Sequence, residues 1–317
     1  MAAVATMPGL RPLDLGEILD TSCRSFGRRW RTLAVTGLIV GVPLSLVSTA
    51  LVLAFAPEQF DVDATENPLT RLTEPGQGDA LAAVLAARVV DLVASALAFA
   101  ACLRIVAGDL VGRDPGEGAA IAFALRRLGS CVGVLLVIGV GVGVGLVLLI
   151  APGVWLGTIW ALALPVLVVE RTGVLGALSR SRALVRGRFW AVLGLILLAF
   201  LITIVCGGLI GAVTGGIAAA AGAGDETRGA VASFLSGVAG MAVAVPLAAA
   251  MLLTMYVDQR VRHEGMTRAD VERALGGGDV RAVPQPPAWA AAPAQQPPME
   301  PDAPELPGGW RPPRAGP

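Results

Sequence analysis

The residues best placed to do chemistry in this 317-residue sequence are the ionisable groups set within its apolar stretches, Arg88, Asp91, Arg104 and Glu170. A charge in hydrocarbon is costly, so such groups mark ion or proton pathways unless they pair or reach the interface. Arg88 and Asp91 are three residues apart, within pairing distance on one helix, near the outer end of their stretch. Arg104 and Glu170 border arginine-rich segments, where a long side chain extends to the headgroups. All four read as paired or snorkelling groups, with Arg88 and Asp91 as the candidate intramembrane polar pair. Catalysis has little else to draw on. His263 is the single histidine, and Cys23, Cys102, Cys131 and Cys206 show no ligand spacing. The cysteines read as small packing residues. The sequence contains no P-loop, HExxH site, nucleophile elbow or histidine triad. No catalytic residue, metal site or cofactor is therefore assigned, and the chain reads as non-enzymatic.

The elements that must hold these residues are set by hydropathy. The composition is 55% apolar and 15% charged, with a mean hydropathy of +0.72, outside the range of soluble domains. Apolar blocks lie near residues 32–56, 80–107, 131–150, 154–170, 189–217 and 229–256. They run from 17 to 29 residues, and roughly 17–25 suffice to cross a bilayer as helix, more when tilted. Helices satisfy their own backbone groups where water is absent, and the short alternating segments of a membrane barrel are missing. The prediction is an all-α, polytopic bundle of about six transmembrane helices arranged as three hairpins. Spans three and four are joined by Ala151, Pro152 and Gly153. No basic n-region leads into a short apolar core and cleavage site, so the first span is expected to remain in the mature chain.

Charge placement gives the orientation. The 24 basic residues are all arginine and balance 24 carboxylates, so nothing marks a nucleic-acid protein. Segments 1–31, 108–130, 171–188 and 257–281 hold eighteen arginines, whereas the opposite loops hold only Arg71 and Arg228. Positive charge resists translocation, which predicts a cytoplasmic (inner) membrane protein with both termini in the cytoplasm. The domains read as a cytoplasmic segment 1–31, a membrane domain 32–256, a cytoplasmic helical segment 257–281 and a tail 282–317. The acidic, Pro- and Gly-containing loop 57–79 reads as a mobile outer surface.

A unit recurs before each odd-numbered span: a helix start, a short amphipathic helix, and arginines at the membrane entry. The first opens on an Asp14 and Glu17 capping box, with Leu15, Ile18, Leu19, Ser22, Phe26 and Trp30 on one face. The second starts at Asp114, Pro115 and Glu117, with Ile121, Leu125 and Leu128 as its stripe. The third starts near Thr172, with Val174, Leu178, Val185 and Phe189 aligned. Such cytoplasmic interfacial arms present arginine to anionic lipid of the cytoplasmic leaflet, and Arg28, Arg29, Arg126, Arg127, Arg186 and Arg188 are the candidate contacts. Within the spans, Gly139, Gly141, Gly143 and Gly145, and Gly207, Gly211 and Gly215, form small-residue seams. Pro43, Pro165 and Pro246 are expected to kink spans one, four and six.

The tail 282–317 has twelve prolines in 36 residues and reads as disordered, with partner binding through Trp289 or Trp310 as its possible use. The opening Arg11-Pro12-Leu13-Asp14-Leu15-Gly16-Glu17-Ile18-Leu19-Asp20, the stretch from Pro165 to Glu170, Ala177-Leu178-Ser179-Arg180-Ser181, and Gly187-Arg188-Phe189-Trp190 carry a resemblance. They resemble actinobacterial membrane proteins related to the membrane domain of glycerophosphoryl diester phosphodiesterases, over roughly Arg11 to Arg260. The resemblance implies a membrane fold and location. It does not imply phosphodiesterase activity, which in that family belongs to a separate barrel of about 250 residues. The expected role is a lipid-organising, scaffolding or partner-binding membrane protein; a transporter or lipid-translocating component is the alternative, with a membrane enzyme further behind.

Overall fold

The computed structural model describes residues 14–57, 78–222 and 224–265, together with Asp270 and Arg273. Most of the acidic loop and the whole Pro-rich tail lie outside the described residues. Those described form ten α-helices and no strand: α1 (Leu15–Phe55), α2 (Gly78–Leu110), α3 (Glu117–Arg126), α4 (Leu128–Leu148), α5 (Ile150–Trp160), α6 (Ala163–Glu170), α7 (Val174–Val185), α8 (Phe189–Ala220), α9 (Asp225–Ala239) and α10 (Val245–Glu264). A π-helical turn, Gly240–Ala244, joins α9 to α10. Six stretches are long and apolar enough to cross a membrane: Gly16–Phe55, Gly78–Leu110, Leu128–Leu148, Ile150–Glu170, Phe189–Ala220 and Glu226–Glu264. Each contains or overlaps one expected apolar block.

The breaks between these elements follow from local chemistry. The Glu17 carboxylate accepts the Asp14 backbone N–H at 3.0 Å, closing the capping box that starts α1. The first arm is not a separate helix. It runs on into span one through a kink at Arg29 (φ −112°, ψ 15°). Pro165 cannot accommodate the carbonyl four residues earlier, and the chain breaks between α5 and α6 just there, at Ala161 and Leu162. Ser181 on α7 repairs the break, accepting the Leu162 N–H (3.1 Å) and donating to the Ile159 carbonyl (2.8 Å). Pro246 follows the π-helical turn in the same way. Pro43, expected to kink span one, sits inside α1 where only Arg29 leaves helical geometry.

Packing divides the bundle into two unlike halves. At the arginine-bearing end, the last turns of α2, all but the end of α6, and α10 from Ala249 to Arg260 are surrounded on nearly all sides, around Leu103, Leu167, Met251, Met255 and Tyr256. At the far end, α1, α2 and α8 expose large apolar side chains such as Leu46, Phe55, Leu85, Val89, Phe200 and Leu209, as lipid-facing surfaces do. In the second arm the buried face is Ala120 and Ala124, while Leu125, expected on the stripe, is exposed. In the third, Leu178 and Val185 are buried as expected, joined by Ala177, Ser181 and Leu184.

Close approach relies on particular glycines. A Cβ on Gly37 would lie 2.1 Å from the Met241 carbonyl oxygen, and one on Gly41 2.7 Å from Met241 Cβ, so α1 meets the π-helical turn backbone to backbone. Gly141 accommodates the Trp160 ring and Gly145 abuts Gly153, whereas Gly139 and Gly143 face open space. Thus half of the expected seam on α4 packs, and the seam on α1 went unnoticed in the sequence. The α4–α5 hairpin turns at Leu149 (φ −163°, ψ 140°), two residues before the expected Ala151-Pro152-Gly153. Pro152 becomes the third residue of α5, where no helical N–H is required. Replacing Gly37 or Gly141 by leucine should lower the unfolding midpoint in detergent, by about 1–3 kcal/mol of overpacking. Gly139→Leu should leave it unchanged, and equal losses at all three positions would contradict the seam.

Candidate functional site

The arginine-bearing segments that are distant in sequence meet at one end of the bundle, and carboxylates bring them together. Asp109, 7% exposed at the end of α2, accepts from Ser25 Oγ (2.8 Å), Arg28 Nη2 (2.7 Å) and Arg29 Nε (3.2 Å). Arg29 also pairs with Asp114. The Gly116 N–H and the Arg29 guanidinium hold Asp114 below the usual carboxylate range. This cluster ties α1 to the α2–α3 connection.

A second cluster joins α6, α7 and α10. Glu170 accepts from the hydroxyl of Tyr256, the chain's single tyrosine (2.9 Å), and from Arg180 Nε (3.3 Å), with Arg260 at 3.8 Å. Arg180 and Arg260 both pair with Glu264. Asp258, whose side chain has no solvent exposure, takes Arg188 (3.1 Å) and Arg262 (2.9 Å), fixing the start of α8 against α10. Charges taken out of water this far are tolerated only when each is paired and hydrogen-bonded.

Of the six expected lipid contacts, the structure thus engages four internally. Arg28, Arg29 and Arg188 bind carboxylates, and Arg127 donates to the Leu167 carbonyl (3.2 Å) while its guanidinium lies over Phe123. Arg126 and Arg186 are exposed. Arg31 lies over the Trp30 ring and Arg182 over Trp155. Trp30, Trp155 and Trp190 are all exposed at this same end, the pattern of an interfacial aromatic belt. Arg104 lies over the Phe123 ring. Cys102 and Cys131 are buried as small packing residues, but Cys23 is exposed.

Arg88 and Asp91 pair at 3.3 Å with side chains 74% and 39% exposed, away from both clusters. Arg88 stands twenty-one residues of continuous helix before Asp109, about 32 Å at 1.5 Å per residue. That is one hydrocarbon thickness. With Ser45, Ser48 and Thr49 of α1 and Ser233 of α9 the pair lines a cleft of about 340 Å³.

Sequence reasoning missed Asp109, Asp258 and Tyr256. A signal existed for part of this, since Asp258 with Arg262 and Arg260 with Glu264 have the i,i+4 spacing of helical ion pairs. Asp109 has Arg113 at the same spacing, but Arg28 and Arg29, which it binds, are some eighty residues away.

With the geometry in place, comparison with known families is informative. Residues 135–270 match the family model of the membrane domain of glycerophosphoryl diester phosphodiesterase. The matched segment runs from within α4 beyond the end of α10, so it contains Glu170, Arg180, Arg188 and Asp258. It includes the Pro165–Glu170 and Gly187–Trp190 motifs but not the opening from Arg11 to Asp20. No curated protein and no solved structure matches the chain.

The matched segment therefore carries its own charge cluster. Replacing Asp258 by alanine leaves Arg188 and Arg262 without their carboxylate and should cost about 3–5 kcal/mol, as breaking a buried pair does. Asp20→Ala, at an exposed pair with Arg24, should cost about 0–1 kcal/mol. Thermal unfolding of the two purified variants compares them directly, and equal midpoints would show that Asp258 does not hold α8 against α10.

Proposed function

We propose that the chain is an integral protein of the cytoplasmic membrane, with both termini in the cytoplasm. It gathers anionic lipid or a protein partner at its arginine-rich face and has no catalytic step of its own. The observation that carries this reading is a surplus of positive charge at that end. Segments 14–31, 104–127, 170–188 and 258–264 hold fifteen arginines against nine carboxylates. Several carboxylates are spent inward on the two clusters, and exposed arginines remain at the surface beside the exposed tryptophans.

A guanidinium near an anionic leaflet gains about 1 kcal/mol, so Arg126 and Arg186 together with Arg31 and Arg182 suffice for a lipid preference. Sequence reasoning treated six arginines as equivalent contacts. Burial and pairing divide them: Arg126 and Arg186 face outward, whereas Arg28, Arg29, Arg127 and Arg188 hold the bundle. The proline-rich tail supplies a route to a protein partner. A second reading, transport or lipid translocation, draws on the cleft beside Arg88. The closed core around Leu103, Leu167 and Met255, between that cleft and the arginine-rich end, weighs against it.

Lipid retention separates the two groups of arginines. Full-length protein extracted gently from native membranes should lose anionic lipid when Arg126 and Arg186 are both changed to glutamine, with its unfolding midpoint unchanged. Arg28→Gln with Arg29→Gln should do the reverse, lowering the midpoint while lipid is retained. Undiminished anionic lipid in the Arg126, Arg186 variant would sink the proposal.

A further inference from the structure

We propose that the cleft between α1, α2 and α9 is a binding site for the headgroup of a zwitterionic phospholipid, one carrying both a phosphodiester and an ammonium group. Two charges of opposite sign, Arg88 and Asp91, stand on one wall; the hydroxyl residues Ser45, Ser48, Thr49 and Ser233 share the remaining lining with Val52, Val84, Ala87, Gly237 and Met241. The volume of about 340 Å³ lies at the lower end of the ~300–1,000 Å³ typical of small-molecule sites.

The charge balance selects the ligand. Arg88 and Asp91 sum to zero, and they are separated by 3.3 Å in a pair open enough to be exchanged. A singly charged headgroup would engage one of the two groups and leave the other without its partner. A zwitterion exchanges partners without that penalty: its phosphate meets the Arg88 guanidinium, its ammonium meets the Asp91 carboxylate, and serine and threonine hydroxyls donate to the remaining phosphate oxygens.

The surroundings make the ligand a lipid. The cleft is cut into an apolar surface, with exposed Leu85 and Val89 on α2 and Leu46 and Val47 on α1 beside it, and acyl chains lie against such a surface. Its distance of about 32 Å from Asp109 puts it at the boundary opposite the arginine-rich face. The site shares no residue with the arginines proposed above to hold anionic lipid, so either reading can fail without the other.

Delipidated full-length protein, offered vesicles of phosphatidylethanolamine or of phosphatidylglycerol and then re-purified, provides the test. In the Arg126→Gln, Arg186→Gln background, which lacks the anionic-lipid contacts proposed above, the protein should retain the former in preference. Arg88→Gln and Asp91→Asn should each reduce that retention about tenfold, the loss of one charge-assisted contact. Both residues are partly exposed, so the variants should keep the wild-type unfolding midpoint; Arg88→Lys, which keeps the charge, should recover part of the binding. Equal retention of both lipids, or unchanged retention in the variants, overturns the proposal. Soluble phosphoethanolamine competing as well as the lipid would overturn its lipid origin.

A separate observation concerns the α4–α5 hairpin, and from it we infer that this hairpin enters and leaves the bilayer through the arginine-rich face. Trp155 lies against Arg182 of α7, and Ile150 to Trp155 share a groove with Phe189, Trp190 and Leu193 at the start of α8. The turn at Leu149 is six residues from Trp155, about 9 Å of helix, far short of a 30 Å crossing. Val147 (88% exposed) and Ile150 (74%) at its tip are apolar and face lipid, and the 21 residues of α4, about 32 Å of helix, run along the leaflet rather than straight across it. A Leu149→Cys variant lacking the native cysteines should react with a membrane-impermeant thiol reagent from the same side as Arg186→Cys. Labelling from the side on which Glu226→Cys reacts would overturn the inference.

Discussion

A carboxylate with no access to water has to be neutralised by cations brought to it, and Asp258 imposes that condition on this bundle. Its partners, Arg188 at the entry to α8 and Arg262 one turn along α10, fix where those two long helices meet. Asp109 does the same for α1 and α2 through Arg28 and Arg29, and Glu170 for α6, α7 and α10 through Arg180, Arg260 and Tyr256. The arginines at the membrane entry therefore have two duties. Some supply the counter-charge inside the protein, and others, Arg126 and Arg186 among them, stay exposed.

This division accounts for the two halves of the structure. Below the clusters, Leu103, Leu167, Met251 and Met255 pack into a closed core of the kind found in water-soluble proteins. Beyond them the helices part and expose leucine, valine and phenylalanine to lipid, held together by close contacts at Gly37, Gly41 and Gly237. Hydrocarbon gives apolar side chains no reason to leave it, so association there depends on small residues rather than on a hydrophobic core.

Much of the fold was legible because its signals are one-dimensional. Span positions follow from the length of apolar runs, and the grouping of arginine-rich ends from their alternation along the chain. The break near Pro165 and the helix start at Asp14 follow from local backbone chemistry. Contacts between distant segments were not legible. Arg28 and Arg126 look alike as membrane-entry arginines, and only the arrival of Asp109, eighty-one residues after Arg28, distinguishes them. Likewise a hairpin that crosses and one that returns have the same apolar length and both bring the chain back to the side it left, so the orientation rule is blind to the placement of Leu149.

The central claim is that internal ion pairing, and not lipid alone, holds the helix ends together, and a double-mutant cycle on Arg188 and Asp258 tests it most directly. Unfolding free energies of the wild type, Arg188→Gln, Asp258→Asn and the double variant, measured in one detergent, give the coupling between α8 and α10. A coupling of at least about 1 kcal/mol is predicted. Effects that add to within about 0.5 kcal/mol would show that the two residues act independently and would contradict the account.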